Sequence, residues 1–331
     1  MKTVDFPALL QRFFTERLMH QRQASPHTIS SYRDTFRLLL QFAQRQLHKS
    51  PSRLTLEEVD APLITAFLDD LENLRGIKAR SRNLRLTAIR SFFHYAAYEE
   101  PAHAAQIQRI LAMPRKRGPK ALVHFLSRPE VDALLAAPDS QTWYGRRDRT
   151  LMLLAVQTGL RLSELTGLRR EDLHLGPGAH VQCMGKCRKE RCTPLSKPLR
   201  AALKKWLQEP ARGPGEWLFC TAHGGRLSAD AVQDLLRKYQ TVAGRGCPSL
   251  QKKRVTPHVL RHTLAMDLLQ AGTDQSVIAL WLGHESVETT QIYLDANLAL
   301  KEQILSKTTQ HGTGCNRFKA DDSLLAFLKG L

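Results

Sequence analysis

Residues 114–121 read PRKRGPKA: two prolines, a glycine and four positive charges in eight positions. Proline supplies no backbone N–H and fixes φ, glycine is costly to order, and the neighbouring like charges repel, so neither a helix nor an interior strand can run through this stretch. The chain must fold as two parts on either side of it, and 331 residues are enough for two domains of ordinary size. We therefore expect a helical domain over 1–113, a basic linker at 114–121, a second domain over 122–307 and a tail over 308–331. The linker's charge suits it to lie along a phosphate backbone.

Charge narrows the partners. Lys and Arg number 49 against 31 Asp and Glu, a formal net charge of +18. Such a field attracts polyanions, above all nucleic acid, although a basic enzyme of ordinary kind shares the same balance. Hydrophobic residues make up 42%, which excludes wholesale disorder. No apolar run approaches the roughly 18 residues of a membrane span, and no polybasic amphipathic helix points to a membrane surface. The start, MKTVDFPALLQRFFTERL, does not read as a signal peptide, so a soluble cytoplasmic protein is expected.

Six cysteines, at 183, 187, 192, 220, 247 and 315, read as free thiols in that compartment. Three fall in CMGKCRKERC near His174 and His180, but C-x3-C-x4-C fits a structural zinc site poorly. No metal is expected there.

The apolar spacing reads as mainly α with a small antiparallel sheet. In the first part, SPHTISSYRDTFRLLLQFAQRQL opens with Ser25 as N-cap and Pro26 at the first position. TLEEVDAPLITAFLDDLEN carries Thr55 and Glu58 at capping-box spacing, which places a helix start at Thr55. KARSRNLRLTAIRSFFHYAAYEE follows, punctuated by Arg80, Arg82, Arg85 and Arg90, either a solvated face or a phosphate-contacting one. In the second part Ser127 and Glu130 begin a helix, and GRRDRTLMLLAVQTGL is apolar enough to be buried. HVQCMGKCRKERCTPL alternates around a Gly-Lys turn, as a hairpin or three-stranded sheet would. Further helices are expected through VETTQIYLDANLALKEQILS, and a short apolar helix in the tail.

Four short stretches could carry chemistry. TGLRLSEL sets Arg161 among leucines with Glu164 three residues on; the charge must pair or serve a ligand, and a simple helix salt bridge is the bland alternative. TPHVLRHT puts His258 and Arg261 on one face at a helix start, which suits a phosphate. His258 and His262 also have metal-pair spacing, but Val259 stands where a zinc protease needs glutamate. GKCRKER places Lys186 at the hairpin turn. LGHESVETTQIY places His284 just past a helix end, where Gly283 permits a left-handed turn, with Ser286 as a cap and Tyr293 in the next helix.

By itself Tyr293 is a packed aromatic or a reactive phenol. Together, two arginines, a lysine, two histidines and a tyrosine, with no carboxylate cluster for magnesium, fit phosphodiester cleavage. Two guanidiniums hold the charge that builds on the nonbridging oxygens. A tyrosine, with a pKa of about 10, can form a covalent phosphoester if a base or a positive field activates it. A lysine or histidine can protonate the leaving oxygen.

TGLRLSEL, GKCRKER, HVLRH and LGHESVETTQIY, in that order, resemble the tyrosine recombinase (phage integrase) family from about Leu122 to Leu305. SPHTISSYRDTFRLLLQFA is similar to that family's helical core-binding (SAM-like) domain, which precedes a mixed α/β catalytic domain. The resemblance implies that Arg161 and Arg261 clamp the scissile phosphate, and that Lys186 is the acid for the leaving 5′-hydroxyl. It implies that His258 handles the nucleophile's proton, His284 hydrogen-bonds the phosphate and Tyr293 forms a 3′-phosphotyrosyl link. Glu164 matches a supporting acidic residue.

The partners implied are double-stranded DNA and further copies of the chain, a tetramer on two DNA sites, with no cofactor, metal or ATP. The expected setting is a mobile genetic element. Two positions depart from the pattern: Cys187 replaces the usual glycine after the hairpin lysine, leaving Lys189 as a second candidate acid, and Ala265–Asp267 replace small polar residues. The tail docks on a neighbouring copy or packs in cis, both readings standing open. The alternatives in function are a type IB topoisomerase, a binding-only DNA protein and a metal-dependent hydrolase built on His258 and His262.

Overall fold

A computed structural model describes residues 5–118, 123–185, 190–210, 215–283 and Thr290. Contacts divide the chain into two compact units, residues 1–121 and 122–331. The chain is mainly α with one small antiparallel sheet, as its patterning leads one to expect. Among the described residues no helix is long and apolar enough to cross a membrane.

The first unit is helical. It comprises α1 (Phe6–Arg12), which continues as a π-wound stretch over Phe13–Gln21, then α2 (Pro26–Leu47), α3 (Ala61–Arg75), α4 (Ala79–Glu99) and α5 (Ala104–Ala112). Phe92 of α4 is the hub of its core, meeting Phe6, Phe13 and Phe36 edge-on at centroid distances of 5.2, 5.5 and 5.4 Å. Edge-on pairs of this kind add about 0.5–1.5 kcal/mol each beyond the area they bury. Ser25 caps α2 by accepting the Thr28 N–H, with Pro26 in the first turn.

Helix α3 does not start at Thr55. Glu58 does accept the Thr55 N–H (2.9 Å), but the helix begins at Ala61, where the Asp60 carboxylate accepts the Leu63 N–H (2.8 Å). Pro62 is the reason. A helix begun at Thr55 would carry Pro62 in its interior, where the ring clashes with the preceding turn and an N–H is missing; at the first turn neither matters.

The arginines of α4 are not one face. Arg82 is buried against Glu72 (3.3 Å), Arg85 donates to Thr35 Oγ1 (3.0 Å), and Arg90 donates to the Met113 carbonyl, so of the four only Arg80 is exposed. Residues 114–118 form neither helix nor strand. The Asn83 side-chain amide pairs with both backbone groups of Lys116, at 2.8 and 3.0 Å, and Lys116 Nζ reaches Glu72. Residues 119–121 lie outside the described residues.

The second unit holds α6 (Arg128–Ala136), α7 (Trp143–Thr158), α8 (Leu162–Gly167), α9 (Lys197–Leu207), α10 (Ala229–Ala243), α11 (Pro257–Gln270) and α12 (Gln275–Leu282). Its sheet has the order β1 (Leu173–His174), β2 (His180–Met184), β3 (Glu190–Pro194), antiparallel throughout. Ser127 and Glu130 make the reciprocal capping box of α6. The apolar α7 packs against α6, α9 and α11 in the main core. A smaller cluster joins Leu264, Ala265, Met266 and Leu269 of α11 to Ile278 and Leu282 of α12. Ala265 and Met266 are thus buried packing residues, while Asp267 is exposed. Beyond Gly283, Thr290 is helical and buried.

Candidate active site

Helix α7 ends in a left-handed turn at Gly159, with φ of 63°. A Cβ there would lie 2.7 Å from Leu282 Cδ2 and 2.9 Å from Leu264 Cδ2, so only glycine lets α11 and α12 pack against the turn. Two residues later Arg161 takes the N-cap position of α8, its N–H bonded to Glu164 Oε2 at 2.7 Å. Its side chain donates from Nη1 to Glu164 Oε1 (2.8 Å) and from Nη2 to the Gly283 carbonyl (2.6 Å). The salt bridge is real, and it is only half of what Arg161 does.

Arg261, in the second turn of α11, is buried at 5% exposure. Its Nη1 donates to the Gly159 carbonyl (2.6 Å) and its Nη2 to the Leu282 carbonyl (2.5 Å), tying the ends of α7 and α12 together. Arg191 of β3 donates from Nη1 to the Trp281 carbonyl (2.9 Å). Three successive carbonyls at the C-terminus of α12 therefore each receive a guanidinium, from three different elements. The last carbonyls of a helix lack intrahelical partners and carry the negative end of its dipole, so cations are the fitting caps. Gly283 closes the helix with φ of 64°; a Cβ there would meet Arg191 Cδ at 3.0 Å.

Glu164, with a side chain 3% exposed, sits between Arg161 and Arg191, whose Nη2 lies 2.6 Å from its Oε2. One carboxylate thus faces two guanidiniums, with a third, Arg261, at the same helix end, and the site keeps a positive excess. Burial pushes the Cys183 thiol up, against the pull of Arg191, whose Nε lies 3.3 Å from the sulfur.

His258 is exposed in the first turn of α11 and stacks on His262 at 6.3 Å. Burial, then the charges of His258 and Arg261, hold His262 down at about 4, so it is neutral at physiological pH. Among the described residues no three His, Cys, Asp or Glu side chains converge as metal ligands would. Cys183, Cys192, Cys220 and Cys247 are free thiols.

Of the residues singled out in the sequence, the structure brings Arg161, Glu164 and Arg261 to one place, with His258 one turn before Arg261. Lys186, Cys187, Lys189, His284, Ser286, Tyr293, Cys315 and the tail lie outside the described residues. His284 directly follows Gly283, the residue whose carbonyl Arg161 holds.

Arg191 closes the stretch GKCRKER, whose spacing singles out Lys186 and Lys189 but not the arginine. Its signal lay in the alternation of the sheet: Val181 and Cys183 face inward, and Arg191 pairs with Cys183 in register. A charge on an inward face needs partners.

The phage integrase family profile matches residues 124–299, and that of the phage integrase N-terminal SAM-like domain matches residues 11–100. A protein of Sinorhizobium fredii named integrase/recombinase y4rC is 64% identical over 330 residues, covering 100% of this chain and 99% of that one. Tyrosine recombinase XerC of Syntrophus aciditrophicus is 31% identical over 291 residues, covering 82% of this chain and 88% of that one. The fold is similar to that of the XerH site-specific recombinase, solved bound to its difH substrate in a post-cleavage complex. The TM-score is 0.67 at 22% identity, over 86% of this chain and 81% of that one. With one profile spanning more than half of its length and a relative matching it end to end, the chain belongs to the phage integrase family.

Proposed function

We propose that this protein is a site-specific DNA recombinase that cuts and rejoins strands through Tyr293. The observation that carries the reading is the convergence of Arg161 and Arg261, a hundred residues apart, on the last carbonyls of α12, directly before the segment that bears His284 and Tyr293. Each guanidinium is a planar, permanently charged fork, fixed in place by the backbone carbonyl it holds and, for Arg161, by the Glu164 carboxylate as well. Two such cations at one helix end suit the nonbridging oxygens of a phosphodiester, whose charge grows in the transition state.

In the proposed step the Tyr293 oxygen attacks phosphorus as the bond to the 5′-oxygen breaks. The phenolic proton leaves by way of His258, and Lys186 donates a proton to the departing 5′-oxygen. The product is a 3′-phosphotyrosyl ester and a free 5′-hydroxyl. Attack by the 5′-hydroxyl of another strand reverses the sequence and restores a phosphodiester. The ester keeps the bond energy, so the scheme calls for neither ATP nor metal.

Exchange between two duplexes cuts four strands. With one nucleophile per chain, four copies on two DNA sites satisfy that count, and a mobile element is the setting proposed for them.

The test is a duplex nicked near the cleavage point, so that the short fragment bearing the 5′-hydroxyl diffuses away and traps the adduct. Wild-type protein is expected to become covalently attached to DNA, in EDTA as well as without it. Tyr293→Phe is expected to bind the same duplex and form no adduct. Persistent strand exchange by Tyr293→Phe would overturn the reading. Efficient relaxation of plasmids that lack a recombination site would favour a topoisomerase instead.

A further inference from the structure

We infer that Arg191 is a positioning residue for cleavage: by sharing the Glu164 carboxylate it sets the placement and effective charge of Arg161. This rests on the recombinase reading of the same site. Arg191 comes from β3, outside the motifs that carry the phosphate-binding arginines, and its guanidinium has three partners. They are Glu164 Oε2 (2.6 Å), the Trp281 carbonyl (2.9 Å) and the Cys183 sulfur (3.3 Å).

Its side chain is 11% exposed, so its charge is largely withdrawn from water and must be met by protein groups. Arg191 has its donors directed at protein groups, and one of them, the Glu164 carboxylate, also holds Arg161.

Consider Glu164 without Arg191. Its two oxygens now answer to two guanidiniums and the Arg161 N–H. With Arg191 gone, the whole carboxylate charge falls on Arg161, which is left closer to a neutral pair and less able to stabilise an anion. The Trp281 carbonyl loses its cap at the same time, which loosens the helix end whose next two carbonyls position Arg261 and Arg161. Both changes act on transition-state charge. Neither touches the rest of a chain whose net charge is +18, so duplex affinity is expected to change little.

The experiment compares wild type, Arg191→Met and Arg191→Lys for duplex affinity and for single-turnover adduct formation on the nicked duplex. Each is measured with a normal scissile phosphodiester and with a methylphosphonate there, which has lost one nonbridging negative charge. Arg191→Met is expected to bind duplex within about threefold of wild type and to form adduct roughly 10- to 100-fold more slowly, as for the displacement of an anion-stabilising donor. On the methylphosphonate its deficit relative to wild type is expected to shrink to within about threefold, because there is less charge to stabilise.

Lysine keeps the charge but can hold Glu164 or Trp281, not both, so Arg191→Lys is expected to fall between. It supplies the same comparison if the methionine variant fails to fold. An equal deficit on both substrates, a binding loss as large as the cleavage loss, or a wild-type rate would overturn the inference. Adduct formed by wild type and equally by Arg191→Met overturns this inference alone; no adduct from wild type overturns the parent reading.

Discussion

Gly159 and Arg261 meet at one point, and each explains the other. The turn at Gly159 brings its carbonyl to Arg261 Nη1 while leaving Leu264 and Leu282 no room for a Cβ. Gly159→Ala combines a left-handed φ with a contact of 2.7 Å, so we expect a loss of about 2–4 kcal/mol in urea unfolding and a misplaced Arg261. A change below about 0.5 kcal/mol would mean that the turn relaxes freely. Half of this site is legible residue by residue. Arg161 with Glu164 follows from spacing, and Arg261 from its place at a helix start. Arg191 is not legible that way, because the two partners that tie it to the site, Glu164 and the Trp281 carbonyl, lie 27 and 90 positions away and are set by the fold.

At the scale of elements, caps were readable wherever they were local. Ser25, Ser127 and Glu130 act where the sequence places them. The start of α3 is not local in this sense: Pro62, seven residues downstream, overrides the Thr55–Glu58 pattern. The arginines of α4 could not be sorted in advance, since Glu72, Thr35 and Met113 come from other segments.

Glu130 shows how far one cap can be elaborated. Burial alone would push its carboxyl up, but Lys253, Ser249 and the Ser127 N–H together hold it down at about 2. A carboxyl whose pKa is lower folded than unfolded stabilises the fold fully above its unfolded value of about 4.5, and loses that contribution as pH falls toward about 2. Glu130→Gln is therefore expected to cost about 1–3 kcal/mol at neutral pH, with the gap to wild type narrowing between about pH 4.5 and pH 2. Urea midpoints across that range check it; a pH-independent gap would show that the charge is not what matters.

At the scale of the whole molecule, the charge of +18 has to be assigned to surfaces, and the first unit offers a specific one. A polar cleft of about 370 Å³ gathers Arg17, Arg22, Arg90 and Arg115 with His94 and Tyr95. Arg90 is committed to the Met113 carbonyl and the exposed Arg17 donates to Gln21; Arg22 is exposed, as is Arg115, whose one hydrogen bond among the described residues is a long one, to Thr87 Oγ1 at 3.5 Å. If DNA phosphate occupies this cleft, each arginine that neutralises a phosphate releases condensed counterions, and the slope of log affinity against log salt changes by about 0.9 per contact. Arg22→Gln and Arg115→Gln are each expected to flatten that slope by about one such step and to weaken specific and non-specific duplexes alike. Arg33→Gln, an exposed arginine already paired with Asp34 and outside the cleft, is expected to leave the slope within error. Titrations at several salt concentrations with both duplex types separate the cases. A slope that does not move would remove the cleft from the DNA surface, and a loss confined to one sequence would turn a phosphate contact into a base contact.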